Sequence, residues 1–219
     1  MLPGLNTVID LSHHNQEARG KAVDYSAARA DGIFGVIYKA TQGTSIRDDT
    51  YFTNRQVATN AGLLWGAYHF GTVGDGVAQA DYFLSVVNPD DRTLIALDLE
   101  DYFVKSGLPT KIMPRKEAEA FVTRVKDKTG RYPMLYTRRN LADDILKITK
   151  TSELAKCALW LSAYTSKPRI PAAWTDWTLW QYTGDDVGPN QPHSVAGVGA
   201  CDRNTFNGDA VALNRLWGL

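Results

Sequence analysis

The stretch Thr93-Leu94-Ile95-Ala96-Leu97-Asp98-Leu99-Glu100-Asp101 decides how this chain folds. It is apolar from Leu94 to Leu97 and then sets three carboxylates within four positions. A continuous apolar run of this length predicts a strand buried on both faces, as in a parallel sheet. Side chains alternate along a strand, so Asp98 and Glu100 should face one way while Leu97 and Leu99 face the other. Two residues of strand separate Cα atoms by about 6.5 Å. That spacing lets two carboxyl groups flank one bond of a substrate, as acid/base cleavage of a glycoside requires. An ordinary strand end entering a solvated acidic turn looks the same locally, so the rest of the chain must decide.

Upstream, residues 7–12 form a short β-branched run that reads as a first strand, with Asp10 and Ser12 on one face of its C-terminal end. Residues 24–30 read as a short helix closed by Gly32, and residues 35–42 as a second strand. Asp48 or Asp49 can cap a helix reaching Asn60, with Gly62 as its stop. A third strand over 63–70 and a helix over 76–87, ended by Asn88-Pro89, lead into the opening stretch. Downstream, Pro114 and Gly130 bracket a helix with Ala118, Phe121, Val122 and Val125 on one stripe. Residues 132–137 give a fifth strand and 141–148 a short helix. There the alternation stops. Residues 158–164, 178–182 and about 198–206 read as strands joined only by loops.

Strand–helix units repeated every ~25–35 residues imply parallel strands with right-handed crossovers. The expected fold is therefore α/β: an irregular TIM-like barrel, five β/α units followed by three helix-poor strands, forming one domain over residues 1–219. An open doubly wound sheet would want a Gly-rich phosphate loop after the first strand. Asp10-Leu11-Ser12-His13-His14 stands there instead.

In a parallel barrel the active site lies at the C-terminal ends of the strands. Those ends carry Asp10 and Ser12, Tyr68 and His69, then Asp98, Glu100 and Asp101. The later strands add Tyr136, Trp160 and Tyr164, Gln181 and Tyr182, and finally Asp202 and Asn204. Aromatic faces hold sugar rings, amides and hydroxyls read their substituents, and carboxylates perform the hydrolysis. Acids, aromatics and amides converging on one rim are what a carbohydrate-cleaving cleft needs.

Eight segments in order resemble glycoside hydrolase family 25, the Chalaropsis-type lysozymes. They are Val8-Ile9-Asp10-Leu11-Ser12-His13, Lys39-Ala40-Thr41-Gln42-Gly43, Gly66-Ala67-Tyr68-His69-Phe70 and Leu97-Asp98-Leu99-Glu100. Further on come Met134-Leu135-Tyr136-Thr137, Leu159-Trp160-Leu161-Ser162-Ala163-Tyr164, Trp180-Gln181-Tyr182-Thr183 and Asp202-Arg203-Asn204-Thr205-Phe206-Asn207-Gly208. The resemblance implies a muramidase that hydrolyses the β-1,4 bond between N-acetylmuramic acid and N-acetylglucosamine in peptidoglycan, with no cofactor or metal. By position, Glu100 resembles the family's general acid/base and Asp98 its partner carboxylate, while Asp10 and Asp202 resemble two flanking acids. Tyr68, Tyr136 and Gln181 are implied substrate contacts, and His69, Trp160 and Tyr164 are candidates for the same surface. His14 stands where relatives often carry an aromatic residue, and Arg203 where an apolar one is common.

Three other chemistries compete. Ser12 beside His13 invites a nucleophilic serine, but strand neighbours face opposite ways and no G-x-S-x-G elbow is present. His13, His14, His69 and Asp10 could hold a metal for an amidase or deacetylase, although there is no H-E-x-x-H. Of these, His13 and His69 are expected to hydrogen-bond the rim acids. A non-catalytic sugar-binding barrel would keep the aromatic cleft and lose the acid pair.

Lys and Arg number 24 against 24 Asp and Glu, so no net charge draws the chain to nucleic acid, to a membrane or to an anionic wall. No 18-residue apolar run spans a membrane. Cys157 and Cys201 lack any paired spacing and are expected as free buried thiols. The N-terminus carries no basic region or long apolar segment of a classical signal peptide. The expectation is a monomer made in the cytoplasm and released to the bacterial wall by another factor, as an endolysin is; a delivered antibacterial effector and a domain cut from a larger secreted protein are the alternatives.

Overall fold

The computed structural model describes residues 2–103 and 110–219. Eight strands close into a barrel: β1 (Leu5–Leu11), β2 (Gly35–Gln42), β3 (Leu64–Phe70), β4 (Leu94–Asp98), β5 (Met134–Thr137), β6 (Leu159–Ser162), β7 (Leu179–Thr183) and β8 (Asp202–Phe206). Each pairs with the next, and β1 joins both β2 and β8. Strands β1 to β7 run parallel, whereas β8 is antiparallel to β7 and to β1. Reversing the last strand lets a short chain close the ring without another crossover helix. The expected fold is therefore present, down to its irregular last third.

Helices α1 (His13–Arg19) and α2 (Tyr25–Ala30) follow β1, α3 (Tyr51–Asn60) follows β2, α4 (Gly76–Val87) follows β3, and α5 (Arg115–Thr129) follows β4. Asp24 and Asp75 cap α2 and α4 through their side chains. Asp48 does not cap α3 itself. Thr50 is the boundary residue, and Asp48 accepts from the Thr50 backbone N–H and hydroxyl. Only a five-residue π-turn (Leu141–Ile145) and a 3₁₀ turn (Glu153–Lys156) stand where the fifth helix was expected. Trp177, Trp180 and Tyr182 cover Leu159 and Leu161 on the helix-poor side, so flat aromatic faces replace a helix there.

Alternation divides the strands between an outer layer and the barrel interior. Outward-facing Ile9, Val36, Trp65, Ile95, Leu97 and Leu135 pack against the helices. Inward-facing Val8, Ile37, Leu94, Ala96, Met134, Trp160, Leu179 and Phe206 fill the barrel. Helix α6 (Ala210–Leu216), which is not among the expected elements, closes the barrel floor with Leu213 and Trp217. The Trp217 indole donates to the Trp65 carbonyl at 2.9 Å. Gly35 makes room for that ring, since a Cβ there would stand 3.1 Å from it.

Candidate active site

Asp10, Tyr68, Asp98, Glu100, Tyr136, Trp160, Gln181 and Asp202 line one pocket at the C-terminal mouth of the barrel. It opens into a wider cleft walled also by Lys39, Phe70, His14 and Asp185. The strand β4 ends at Asp98, yet the alternation carries on through the next two residues. Leu99 is buried among the helix-facing apolar residues and Glu100 lines the pocket. The two carboxyls thus share one side of the barrel wall, as the D-x-E spacing requires.

A directed hydrogen-bond network fixes the opposite wall. Gln181 Oε1 accepts from the Tyr136 and Tyr164 hydroxyls, each at 2.8 Å, and more weakly from Ser162. Its Nε2 donates to both Asp10 oxygens at 3.0 Å. Asn204 Nδ2 donates to Asp10 Oδ2 at 2.8 Å, and the Trp160 indole donates to Asn204 Oδ1 at 2.6 Å. Every polar atom along this chain has its partner, so Asp10 is held in one orientation. Tyr164 reaches in only because residue 184 is glycine; a Cβ there would collide with its ring and hydroxyl.

Asp10 and Asp202 are directly paired residues of the antiparallel strands β1 and β8. Two carboxyls in that relation repel unless a proton lies between them. Burial pushes Asp10 up to about 6 against the donors from Asn204 and Gln181, while burial and the Asp10 charge push Asp202 well above the usual carboxylate range. Glu100 rises to about 7 through burial and the neighbouring Asp101, opposed by Arg138. Arg138 is itself tied to Asp101 at 2.8 Å, in a short ribbon of Asp101–Tyr102 with Lys111–Ile112. Burial and the Glu100 charge raise Asp98 far above an ordinary aspartate. Its Oδ1 is buried with no hydrogen-bond partner among the described residues. A buried acceptor left open in this way is set for a donor that arrives with a ligand.

Aromatic rings floor the pocket. Tyr68 and Tyr136 both meet Trp160 edge-on, with centroids at 6.5 and 4.9 Å. Trp160 is 1% exposed, so it supports this surface more than it presents one.

One expected contact is in the wrong place. His69 is fully buried on the helix-facing side of β3, stacked on Phe121 with centroids 4.9 Å apart. Gln79 Oε1 accepts from the Thr72 N–H, which fixes that amide; His69 Nε2 therefore donates to it at 3.2 Å, and Nδ1 accepts from Thr41 at 2.8 Å. Burial lowers its pKa to about 4, so the ring is neutral. Adjacent residues of a strand cannot both face the barrel, and Tyr68 holds the inward position. His13 likewise bonds no rim acid: its Nδ1 lies 2.7 Å from Asp48. Burial alone would raise Asp48, but donors from Thr50 and His13 outweigh it and hold the carboxyl low. Arg203 points outward to the Ser194 carbonyl, away from the cleft.

Lys39 was missed by sequence reasoning. A bulge between Lys39 and Thr41 in the β2–β3 register inserts one extra residue. It lets Lys39 line the cleft while Thr41, two residues on, bonds His69 on the opposite face. No local pattern in the sequence announces the bulge.

Set against known proteins, residues 9–190 match the family described as Glycosyl hydrolases family 25. Lysozyme M1 of Streptomyces globisporus is 34% identical over 219 aligned residues, which span 95% of this chain and 70% of that protein. The N,O-diacetylmuramidase of Chalaropsis sp is 33% identical over 173 residues, covering 73% of this chain and 82% of its own. The bacterial lysozyme from Streptomyces coelicolor superposes with a TM-score of 0.81 at 31% identity, over 99% of this chain and 98% of that one. The family GH25 lysozyme from Aspergillus fumigatus gives 0.78 at 31% identity, over 96% and 98%. With its barrel, its rim of acids and these likenesses, the chain belongs to glycosyl hydrolase family 25.

Proposed function

We propose that this glycoside hydrolase is an N-acetylmuramidase that cuts peptidoglycan after N-acetylmuramic acid, with Glu100 as general acid/base and Asp98 as its assisting carboxylate. The observation that carries the reading is the pair itself: Glu100, raised to about 7, beside Asp98 with an unsatisfied buried oxygen in a pocket floored by aromatic rings. A carboxyl of that pKa is still protonated near neutrality and can give its proton to the departing glycosidic oxygen.

As the bond to C1 of muramic acid breaks, the carbonyl oxygen of the sugar's own acetamido group bonds to C1. The acetamido N–H turns to the open Asp98 oxygen, which accepts it and steadies the positive charge. Glu100, now a carboxylate, takes a proton from water whose oxygen attacks C1 and reopens the ring, so configuration is retained. Asp10, locked by Gln181 and Asn204, and Asp202, which accepts from the Asp185 N–H, shape the far side and set its charge. Tyr68, Tyr136 and Tyr164 offer ring faces or hydroxyls to the glycan, with Trp160 behind them.

All of these side chains come from one chain, which suits action as a monomer on the bacterial wall. Among the described residues no helix is long and apolar enough to cross a membrane. Mass analysis of digested and borohydride-reduced peptidoglycan tests the reading. Reduced muramic acid ends are expected; reduced glucosamine ends or freed stem peptides would overturn it.

A further inference from the structure

Lys39 stands in an acidic cleft, and the carboxylates of Asp98, Asp48 and Glu100 favour its charged form against burial without pairing directly with it. Its ammonium donates to the neutral Gln42 amide at 2.8 Å and lies 4.9 Å from the centre of the Phe70 ring. Among the described residues no carboxylate lies within ion-pair distance of it. An ammonium has three donors, so two remain available at the cleft wall. Lys39 is also the wall shared with a neighbouring groove, where Gln16, Gln42, Ile46 and Arg47 stand beside Asp48 and Asp49. Arg47 there lies over the Phe52 ring and Ile46 is 53% exposed, so the groove offers a cation, two carboxylates, two amides and an apolar face.

The strand order gives the direction in which a sugar would meet these groups. Glu100 and Asp98 stand at β4, Tyr68 and Phe70 at β3, and Lys39 at β2; Lys39 is the register partner of Tyr68, and Tyr68 of Ala96. A ring with C1 at Glu100 and its C2 acetamido group at Asp98 meets Lys39 through C3 when that edge is turned to the β3–β2 side of the mouth. Muramic acid and glucosamine differ only at C3, where muramic acid carries a lactyl ether that leads into the stem peptide. Resting on the muramidase reading above, we infer that Lys39 selects muramic acid by donating to the carbonyl or carboxylate oxygen of that lactyl branch, and that the groove beyond it receives the stem peptide.

The test is binding to the Glu100→Gln protein, which turns its ligands over too slowly to consume them during the measurement. One probe is a tetrasaccharide of alternating glucosamine and muramic acid carrying two-residue peptide stems; the other is chitotetraose, which has the same rings without the branch. In that background Lys39→Met should weaken the branched probe by about tenfold or more, the loss of a charge-assisted hydrogen bond. Chitotetraose affinity should change by less than about twofold on the same scale. Methionine keeps the stem over Phe70, and the unfolding midpoint measured alongside checks that the variant is folded. Equal losses on both probes, no loss on either, or a parent protein that binds both probes alike would overturn the inference. The muramidase reading fails separately, through the end groups of the wild-type digest.

Discussion

Gln181 lies 171 residues from Asp10 in the chain, yet its amide nitrogen sits 3.0 Å from both oxygens of that carboxylate. Its other end is held by two tyrosine hydroxyls, so the amide can present only its N–H face to Asp10. The geometry of the rim therefore depends on a residue that carries no charge. Gln181→Leu removes the donors and strands both hydroxyls. Hydrogen bonds to a charged group contribute about 1.5–3 kcal/mol, so kcat/KM should fall by about 10- to 100-fold. Because Gln181 holds the Asp10 carboxyl down, its loss should also move the Asp10 titration to higher pH. Steady-state kinetics across a pH series read both effects, and an unchanged kcat/KM would remove Gln181 from the machinery.

The proton donor sets the alkaline side of activity. A general acid works only while protonated, and Glu100 loses its proton at about 7, so kcat/KM should fall as pH rises through that value. Arg138 pulls the Glu100 titration down and neutralises Asp101, which pushes it up. Arg138→Met should thus shift the alkaline limb to higher pH, and Asp101→Asn should shift it lower. Glu100→Gln should cost about 10²–10⁴-fold in kcat or more without lowering the unfolding midpoint. A limb that stays fixed in both neighbour variants would assign it to another group.

The same carboxyls cost stability. Asp10, Asp98, Glu100 and Asp202 all titrate higher in the folded chain than carboxyls do when exposed. A group raised on folding favours the folded state below its unfolded pKa and loses that contribution as pH rises through its folded value. For Asp10 and Glu100 the loss runs from about pH 4 to about 6 and 7. The unfolding midpoint should therefore climb as pH is lowered from 8 to 5. Asp98→Asn removes one carboxyl whose ionisation burial opposes, so it should raise the midpoint more at pH 8 than at pH 5, by roughly 2–4 °C per kcal/mol relieved. Calorimetry at the two pH values separates this from a generic effect of the amide.

His69 supplies the opposite case, a titratable group near the site that takes no part in it. Its ring is neutral, stacked on Phe121 and bonded to Thr41 and Gln79. His69→Ala leaves a cavity and two orphaned polar groups, a cost of about 2–4 kcal/mol. Denaturant midpoints should show that loss, while kcat measured well below the transition stays within about twofold. A selective fall in kcat with unchanged stability would return His69 to the cleft.

Much of this was legible in the sequence because one periodicity does two tasks. Alternation on β4 made Leu97 and Leu99 helix-facing and put Asp98 and Glu100 together at the mouth. The same rule, applied strictly to β3, would have separated Tyr68 from His69. Lys39 was hidden because its direction depends on a bulge, and a bulge is a property of two paired strands. The Gln181–Asp10 bond was beyond reach for a related reason: both residues could be placed at the rim, but which atoms meet is fixed by the reversed strand β8 that joins β1 to β7. Helix α6 begins with a side-chain cap from Asp209, so a local signal for it existed. Its destination did not show, because nothing local says that Trp217 will meet Gly35.

That destination gives the last expectation. Trp217 is fully buried beneath the barrel, with its indole bonded to the Trp65 carbonyl, and the catalytic rim lies at the other end of the same strands. Trp217→Ala should cost about 3–5 kcal/mol, since it empties the floor and leaves the Trp65 carbonyl unpaired. At ~2–4 °C per kcal/mol for a chain of this size, the unfolding midpoint should drop by about 10 °C. Activity at low temperature should persist, because Val8, Ile37, Leu94 and Met134 still separate floor from rim. Gly35→Ala should repeat the effect more weakly by pressing a methyl group against the same ring. Thermal melts and room-temperature kinetics on both variants check this, and loss of activity without loss of stability would mean that floor and rim are coupled through the barrel interior.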